Sequence, residues 1–167
     1  MQEEVQSLIS LALSRDGFRQ ILAGSVDEAS ALFTEALALD ESNAYARLGL
    51  AEVAAHQEEL ASALPLYRDA VERARPEDRR HFLEALVAAL IRAAVRARDA
   101  GDKAQAERYF EKALLITTSP TIRMACHEGL ASLCADSGRK EAAAWHFSKA
   151  LAALDPSLSR QPENTPN

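Results

Sequence analysis

Large rings are scarce in this chain: five Phe, three Tyr and one Trp make up 5% of its residues. With 34 alanines beside them, the core cannot rest on bulky aromatics. It must come from closely approaching helices, because Ala combines the best helix propensity with the least bulk. The fold class read from this is all-α. Cysteine is nearly absent as well. Cys126 and Cys134 stand eight residues apart within one predicted helix, a rise of about 12 Å that no disulfide can bridge. Reduced thiols and a cytoplasmic location are expected. No uninterrupted apolar run reaches membrane-spanning length. The longest, "FLEALVAALIRAAV", is broken by Glu84 and Arg92, so no membrane insertion is expected. The leading "MQEEVQSLISLAL" is acidic and has no small-residue cleavage site, unlike a secretory signal. Net positive charge is missing too. The balance is -6 with a pI near 5.3, a field that opposes approach to nucleic acid or an anionic membrane.

What is present is a repeat. "EASALFTEAL", "SALPLYRDAV", "QAERYFEKAL" and "AAWHFSKAL" share an alanine, an aromatic four residues on, a second alanine three later and an aliphatic residue next to it. The anchor alanines are Ala29, Ala63, Ala106 and Ala143, at intervals of 34, 43 and 37 residues. Gly24, Gly101 and Gly138 each precede an anchor by five residues, where a helix C-terminus calls for a left-handed residue. In the second unit Glu58 takes that place. Another apolar-periodic segment lies ahead of each turn, and "GLA" recurs there at Gly49–Ala51 and Gly129–Ala131. Each unit therefore reads as helix, tight turn, helix. Pro76, Pro120 and Pro156 follow the last apolar positions of their units and act as stops. Pro65 is read as the third helical residue behind an N-cap at Ser62, where its missing N–H costs nothing.

This pattern resembles the tetratricopeptide repeat family, whose helical hairpins of about 34 residues stack into a superhelix. The resemblance runs from about Ser10 to Pro156. The family's small first-helix positions correspond to Gly17, Ala51, Ala94 and Ala131, facing the four anchors, and its aromatics to Phe33, Tyr67, Phe110 and Phe147. It implies a right-handed superhelical stack of about four antiparallel hairpins in one domain, 1–156. The units are approximately 10–43, 44–76, 77–120 and 121–156, with 1–9 as an N-terminal helical cap and 157–167 as a disordered polar tail. Two departures stand out. No unit has the family's usual early Trp, and the 43-residue interval lengthens the first helix of unit three to about Glu77–Asp99. Its leading Phe82/Leu83/Leu86 face either fills a gap beside unit two or forms an interaction arm. The first helix is expected to break near Ser14 to Gly17.

Chemistry-bearing constellations are absent from the sequence. His56, His81, His127 and His146 fall on different hairpins or helix faces, and no H-E-x-x-H, C-x-x-C, phosphate-binding glycine loop or G-x-S-x-G elbow occurs. No catalytic, cofactor or metal site is expected, and the chain is read as a non-enzyme. Seven arginines against three acidic residues make Arg73 to Arg98 a basic island. It reads as a solvated face pairing with the acidic N-terminal units, and next as a site for an acidic peptide. Trp145 is open between a partner contact and packing against the tail.

A stack of hairpins offers an extended concave surface lined by first helices. By the resemblance, the groove-facing positions are Arg15, Phe18, Tyr45, Leu48, Glu52, His56, Arg92 and Glu128, and the expected partner is a peptide or helix of another protein. The family's carboxylate-clamp positions correspond here to Ser14, Phe18, Gly49, Ala88 and Arg92, of which only the last agrees. Two alternatives accompany the adaptor reading. One is self-assembly, a homodimer through the last repeat, whose outer face lacks an apolar cover. The other is a small secretion chaperone of the same fold.

Overall fold

The computed structural model describes residues 2–57 and 60–155, with the backbone alone at residue 61. Glu58 at the second turn, Pro156 and the tail 157–167 lie outside the described residues. Among the described residues the secondary structure is helical throughout: α1 Gln2–Ala23, α2 Val26–Leu39, α3 Ala44–His56, α4 Leu60–Arg73, α5 Arg79–Asp99, α6 Lys103–Ile116, α7 Pro120–Asp136 and α8 Lys140–Leu154. They form an all-α helical repeat. The chain divides into two compact units, Met1–Ala89 and Leu90–Asn167.

The turns repeat because their glycines do. Gly24, Gly101 and Gly138 adopt φ of 83°, 84° and 74°, the left-handed region that costs other residues roughly 1 kcal/mol. Each closes the same motif. The residue after the glycine donates its N–H to the carbonyl five back, Ser25 to Gln20, Asp102 to Ala97 and Arg139 to Cys134, all at 2.9 Å. Orphan carbonyls at the helix end are thereby satisfied. At the other end of a hairpin, Pro120 is the first residue of α7, where its missing N–H is harmless. Pro65 behaves differently from expectation. Helix α4 begins at Leu60, so Ser62 lies inside it and Pro65 stands in its second turn, where one i→i−4 bond is lost.

In the first unit the core is built around one ring. Phe33 of α2 is fully buried, its ring packed against Gly17 of α1 and Gly49 of α3. A Cβ built on Gly17 would lie 2.7 Å from the ring, and one on Gly49 would overlap it. Ala29, Ala36, Ala46 and Val53 complete the cluster. A buried polar pin holds the same three helices. Asn43, N-cap of α3, accepts from the Ala46 N–H at 3.1 Å, while its amide donates to the hydroxyls of Ser10 (2.7 Å) and Ser14 (3.0 Å). Ser10 in turn donates to the Ala36 carbonyl at 2.7 Å. These contacts explain why α1 does not break near Ser14 to Gly17. Ser14 donates to the Ser10 carbonyl one turn back, and Gly17 is where the Phe33 ring enters.

Helix α5 starts two residues later than expected and runs 21 residues. Its Phe82 is fully buried, edge-on to Tyr45 of α3 with ring centroids 5.0 Å apart. The leading face of this helix thus fills space beside α3 and is not an exposed arm. In the second unit Phe110 of α6 repeats the arrangement of Phe33. A Cβ on Gly129 of α7 would lie 2.5 Å from its ring. Cys126, Leu130, Ala131, Leu133 and Cys134 of the same helix are buried. At the hairpin end, Arg139 bonds Glu107 at 2.7 Å and Lys103 donates to the Asp136 carbonyl at 3.0 Å. The basic island finds partners locally. Arg73 pairs with Asp69 at 2.8 Å, Arg80 with Glu84 at 2.9 Å and Arg98 with Asp99 at 3.0 Å.

Candidate functional site

The first helices of the first unit, α1 and α3, leave a cleft between them of about 300 Å³, lined by Leu11, Ser14, Arg15, Phe18 and Tyr45. Its walls are nearly all apolar because the polar groups of Ser14 are spent on Asn43 and Ser10. The Phe18 ring stands edge-on to Phe33 at 5.0 Å, so its wall is anchored in the core. Leu11 and Tyr45 also border a second, polar cleft of about 560 Å³ that includes Ser7, Asp40, Arg73 and Arg75. Here Ser42 and Ser7 donate to the Asp40 carboxylate at 2.6 and 2.7 Å, and these bonds hold its pKa below the ordinary value. Burial raises the Tyr45 pKa, and hydrogen bonding to Asp78 raises it further. Tyr45 stays a neutral hydroxyl, and its ring separates an apolar compartment from a charged one. Such a pairing suits a peptide that places an apolar side chain beside polar groups.

Of the eight residues anticipated for a groove, Arg15, Phe18 and Tyr45 meet at the apolar cleft. Leu48 is 2% exposed and offers no side chain to a partner. The helical period turns it inward among Ala46, Ala51 and Val53 of α3, which are buried with it. Glu52 is half-buried and His56 exposed at the far end of α3, away from the cleft lining. Arg92 and Glu128 are exposed on α5 and α7 and belong to the second unit. Leu11, which the sequence reading missed, is 39% exposed and borders both clefts. Its signal was available, since it lies a full helical repeat ahead of Phe18 on α1.

The second unit brings together two histidines that the sequence reading had placed apart. Nδ1 of His127 on α7 lies 3.1 Å from Nδ1 of His146 on α8. At that distance one ring donates and the other accepts, so at least one is neutral at that nitrogen. Burial lowers both pKa values. The neighbouring His146, Arg123 and Lys149 lower that of His127 further, while Glu107 and Glu111 oppose the effect at His146. The Trp145 ring stands edge-on to both imidazoles, and the Lys149 ammonium lies 5.4 Å from its centroid. Two imidazoles fall short of the four ligands of a structural zinc site. Cys126 on the same helix is a free thiol whose pKa burial pushes up to about 11, so it is not a thiolate nucleophile near neutrality. The hairpin register that joins residues 127 and 146 is set by Gly138, whose place relative to each histidine was the missed clue.

A family model described as tetratricopeptide repeat matches residues 23–79, from the end of α1 to the start of α5. No curated protein matches the chain. Among solved structures it is similar to MamA, at 16% identity and a TM-score of 0.59, over 90% of this chain and 81% of that one. It is also similar to PilF of Pseudomonas aeruginosa, at 19% identity and a TM-score of 0.42, over 89% of this chain and 78% of that one. At such identities the MamA likeness speaks for the fold.

Proposed function

We propose that this chain, a protein of the tetratricopeptide repeat family, is an adaptor that binds a peptide or helical segment of another protein on the first-helix surface of its first unit. The repeat fold makes it a protein-interaction module, and proteins of this family are in general non-enzymatic scaffolds. Among the described residues no helix is long and apolar enough to cross a membrane. The two free thiols suit a reducing, cytoplasmic setting. The observation that carries the reading is the apolar cleft of Leu11, Phe18 and Tyr45, open to solvent and continuous with a polar one. An apolar anchor residue of the partner fits the first, and its flanking polar groups meet the second.

The experiment is partner recovery by the intact chain and by two variants, Leu11→Glu and Arg15→Glu, with circular dichroism as the folding control. Both side chains are exposed, so the fold should persist while recovery falls. Tyr45→Ala is a poor probe, since it also removes the contact to buried Phe82. Recovery of the same partners by folded Leu11→Glu protein would rule this cleft out.

A second reading is self-association through the last repeat, favoured by one observation. Phe147, Leu151 and Leu154 of α8 are all at least half exposed among the described residues, a costly arrangement for apolar side chains.

A further inference from the structure

The two histidines of the second unit occupy recurring places in the repeat. His127 lies four residues before Ala131, one of the small first-helix positions, and His146 three after the anchor Ala143. The same places hold Leu13 and Leu32, Arg47 and Leu66, and Leu90 and Tyr109 in the other hairpins, with the same separation of 19 residues. Each of those pairs contains a leucine. The last pair alone is two imidazoles. They stand on the core side of their hairpin: His127 is 6% exposed and shares a face of α7 with buried Leu130, Ala131 and Cys134, while half-buried His146 lies between buried Ala143 and Ala150 on α8. Two polar rings there give up water without the packing that leucine would supply.

Their geometry suits a shared ion. The Nδ1 atoms lie 3.1 Å apart and the ring planes are tilted by 40°. Two imidazole nitrogens at that separation, each bound at the usual length of about 2.0–2.1 Å, subtend about 98° at a common metal. This is close to the right angle of a tetragonal site, the arrangement of nitrogen and oxygen donors that divalent copper favours. The hairpin itself fixes the spacing, closed at Gly138 by the Arg139 N–H on the Cys134 carbonyl at 2.9 Å. Among the described residues no three His, Cys, Asp or Glu side chains gather to hold a metal, so the protein supplies two ligands. Copper gains most from so small a set, because affinity rises along the series to copper and falls again at zinc. Nearby charge is mixed. Arg123 and Lys149 act on His127 and oppose a dication, while Glu107 and Glu111 act on His146 and attract it. Arg139 also acts on His146, but it is bonded to Glu107 at 2.7 Å and the two charges offset. Such a site exchanges its ion readily.

We propose that His127 and His146 form a binding site for a divalent copper ion, held through both Nδ1 atoms between α7 and α8, with water in the remaining positions. Bound there, the ion clips the two helices of the hairpin together and stabilises the second unit. Trp145 reports on it, since its ring stands edge-on to both imidazoles with centroids 5.9 and 4.8 Å away, within quenching range of a paramagnetic ion.

The test is a titration of the full-length chain with copper(II) alone, followed by the fluorescence of Trp145, the single tryptophan. Quenching should saturate at one ion per chain and reverse with EDTA. His127→Gln and His146→Gln, checked for folding by circular dichroism, should each weaken binding by at least about 100-fold, the upper end of what loss of a mere orienting group costs. His56→Gln and His81→Gln should leave it unchanged. Pulsed electron paramagnetic resonance of the copper-loaded wild type, which needs no variant, should count two equatorial imidazoles. A count of one or none would overturn the proposal. So would equal binding by the wild type and folded His146→Gln protein, or quenching that survives EDTA, the mark of thiol oxidation in place of coordination. Zinc(II) that displaces copper at equal concentration would overturn the choice of ion.

Discussion

Gly49→Ala would ordinarily help a helix, since Ala exceeds Gly in helix propensity by about 1 kcal/mol. Here it should do the reverse. The new methyl would overlap the Phe33 ring, which is fully buried and also packs so closely on Gly17 of α1 that a Cβ there would lie 2.7 Å from it. Overpacking of a closed site costs about 1–3 kcal/mol. With the ring fully buried and the overlap severe the upper half of that range applies, leaving a net loss of about 1–2 kcal/mol after the propensity gain. Urea unfolding followed by far-ultraviolet circular dichroism measures it. The single tryptophan, Trp145, lies in the second unit, so its fluorescence reports that unit separately and identifies where the loss falls. Phe33→Leu makes room for the methyl. In the Phe33→Leu background the cost of Gly49→Ala should shrink by about 1 kcal/mol or more. Gly24→Ala is the contrast. It also destabilises, through its φ of 83°, but no atom lies within 4 Å of its Cβ position, so its cost should be the same in the wild-type and Phe33→Leu backgrounds. An unchanged or raised midpoint for Gly49→Ala, or strict additivity with Phe33→Leu, would refute the claim that these glycines exist to admit the ring.

Two further outcomes follow from buried polar groups. Asn43→Ala removes an N-cap and two donors to Ser10 and Ser14 and should cost about 2–3 kcal/mol in urea unfolding. Asn43→Asp, normally neutral at an N-cap, should cost as much, because a buried carboxylate would face the same hydroxyls without an N–H to offer. For His127 and His146 the folded pKa values lie below 6.5. The unfolded chain therefore binds protons first as pH falls through 6.5, and stability declines from there until the folded pair is itself protonated. Arg123 and Lys149 deepen the effect at His127, and Glu107 and Glu111 moderate it at His146. Thermal unfolding at neutral pH and at pH about 5 should show a smaller acid loss in His127→Gln than in the wild type, and an equal loss would exclude the pair as its source.

The repeat was legible because its physics is local and periodic. A turn glycine five residues before an anchor alanine specifies a left-handed residue, and Gly24, Gly101 and Gly138 all adopt it. Phe33 and Phe110 were also readable as stacking residues from their spacing. What could not be read was which atoms lie opposite one another. The sequence reading singled out Gly49 and Gly129 only as a recurrence, and their purpose emerges once the ring of the preceding hairpin is seen against them. The family resemblance places Leu48 in the groove, yet it belongs to the buried face of α3. Pro65 was explained by an N-cap two residues inside the actual helix. His127 and His146, separated by 19 residues, meet only because a hairpin reverses the chain between them.

Periodicity also explains where specificity can reside. A position that every repeat must fill to hold its neighbour is unavailable to a partner, and Ala29, Phe33 and Ala36 are fully buried for that reason. Binding surface is left in two kinds of place. One is the side of a first helix that no neighbouring hairpin uses, where Leu11, Phe18 and Tyr45 form a cleft. The other is a repeat whose stacking position is left exposed among the described residues. Phe147 is such a position: the motif that buries Phe33 leaves the corresponding ring of α8 half exposed. The same short motif therefore makes a core where a following helix packs on it and leaves an apolar surface exposed in α8. The difference is made by the neighbour: Gly49 of α3 admits the Phe33 ring and Gly129 of α7 that of Phe110, whereas no described glycine lies against Phe147.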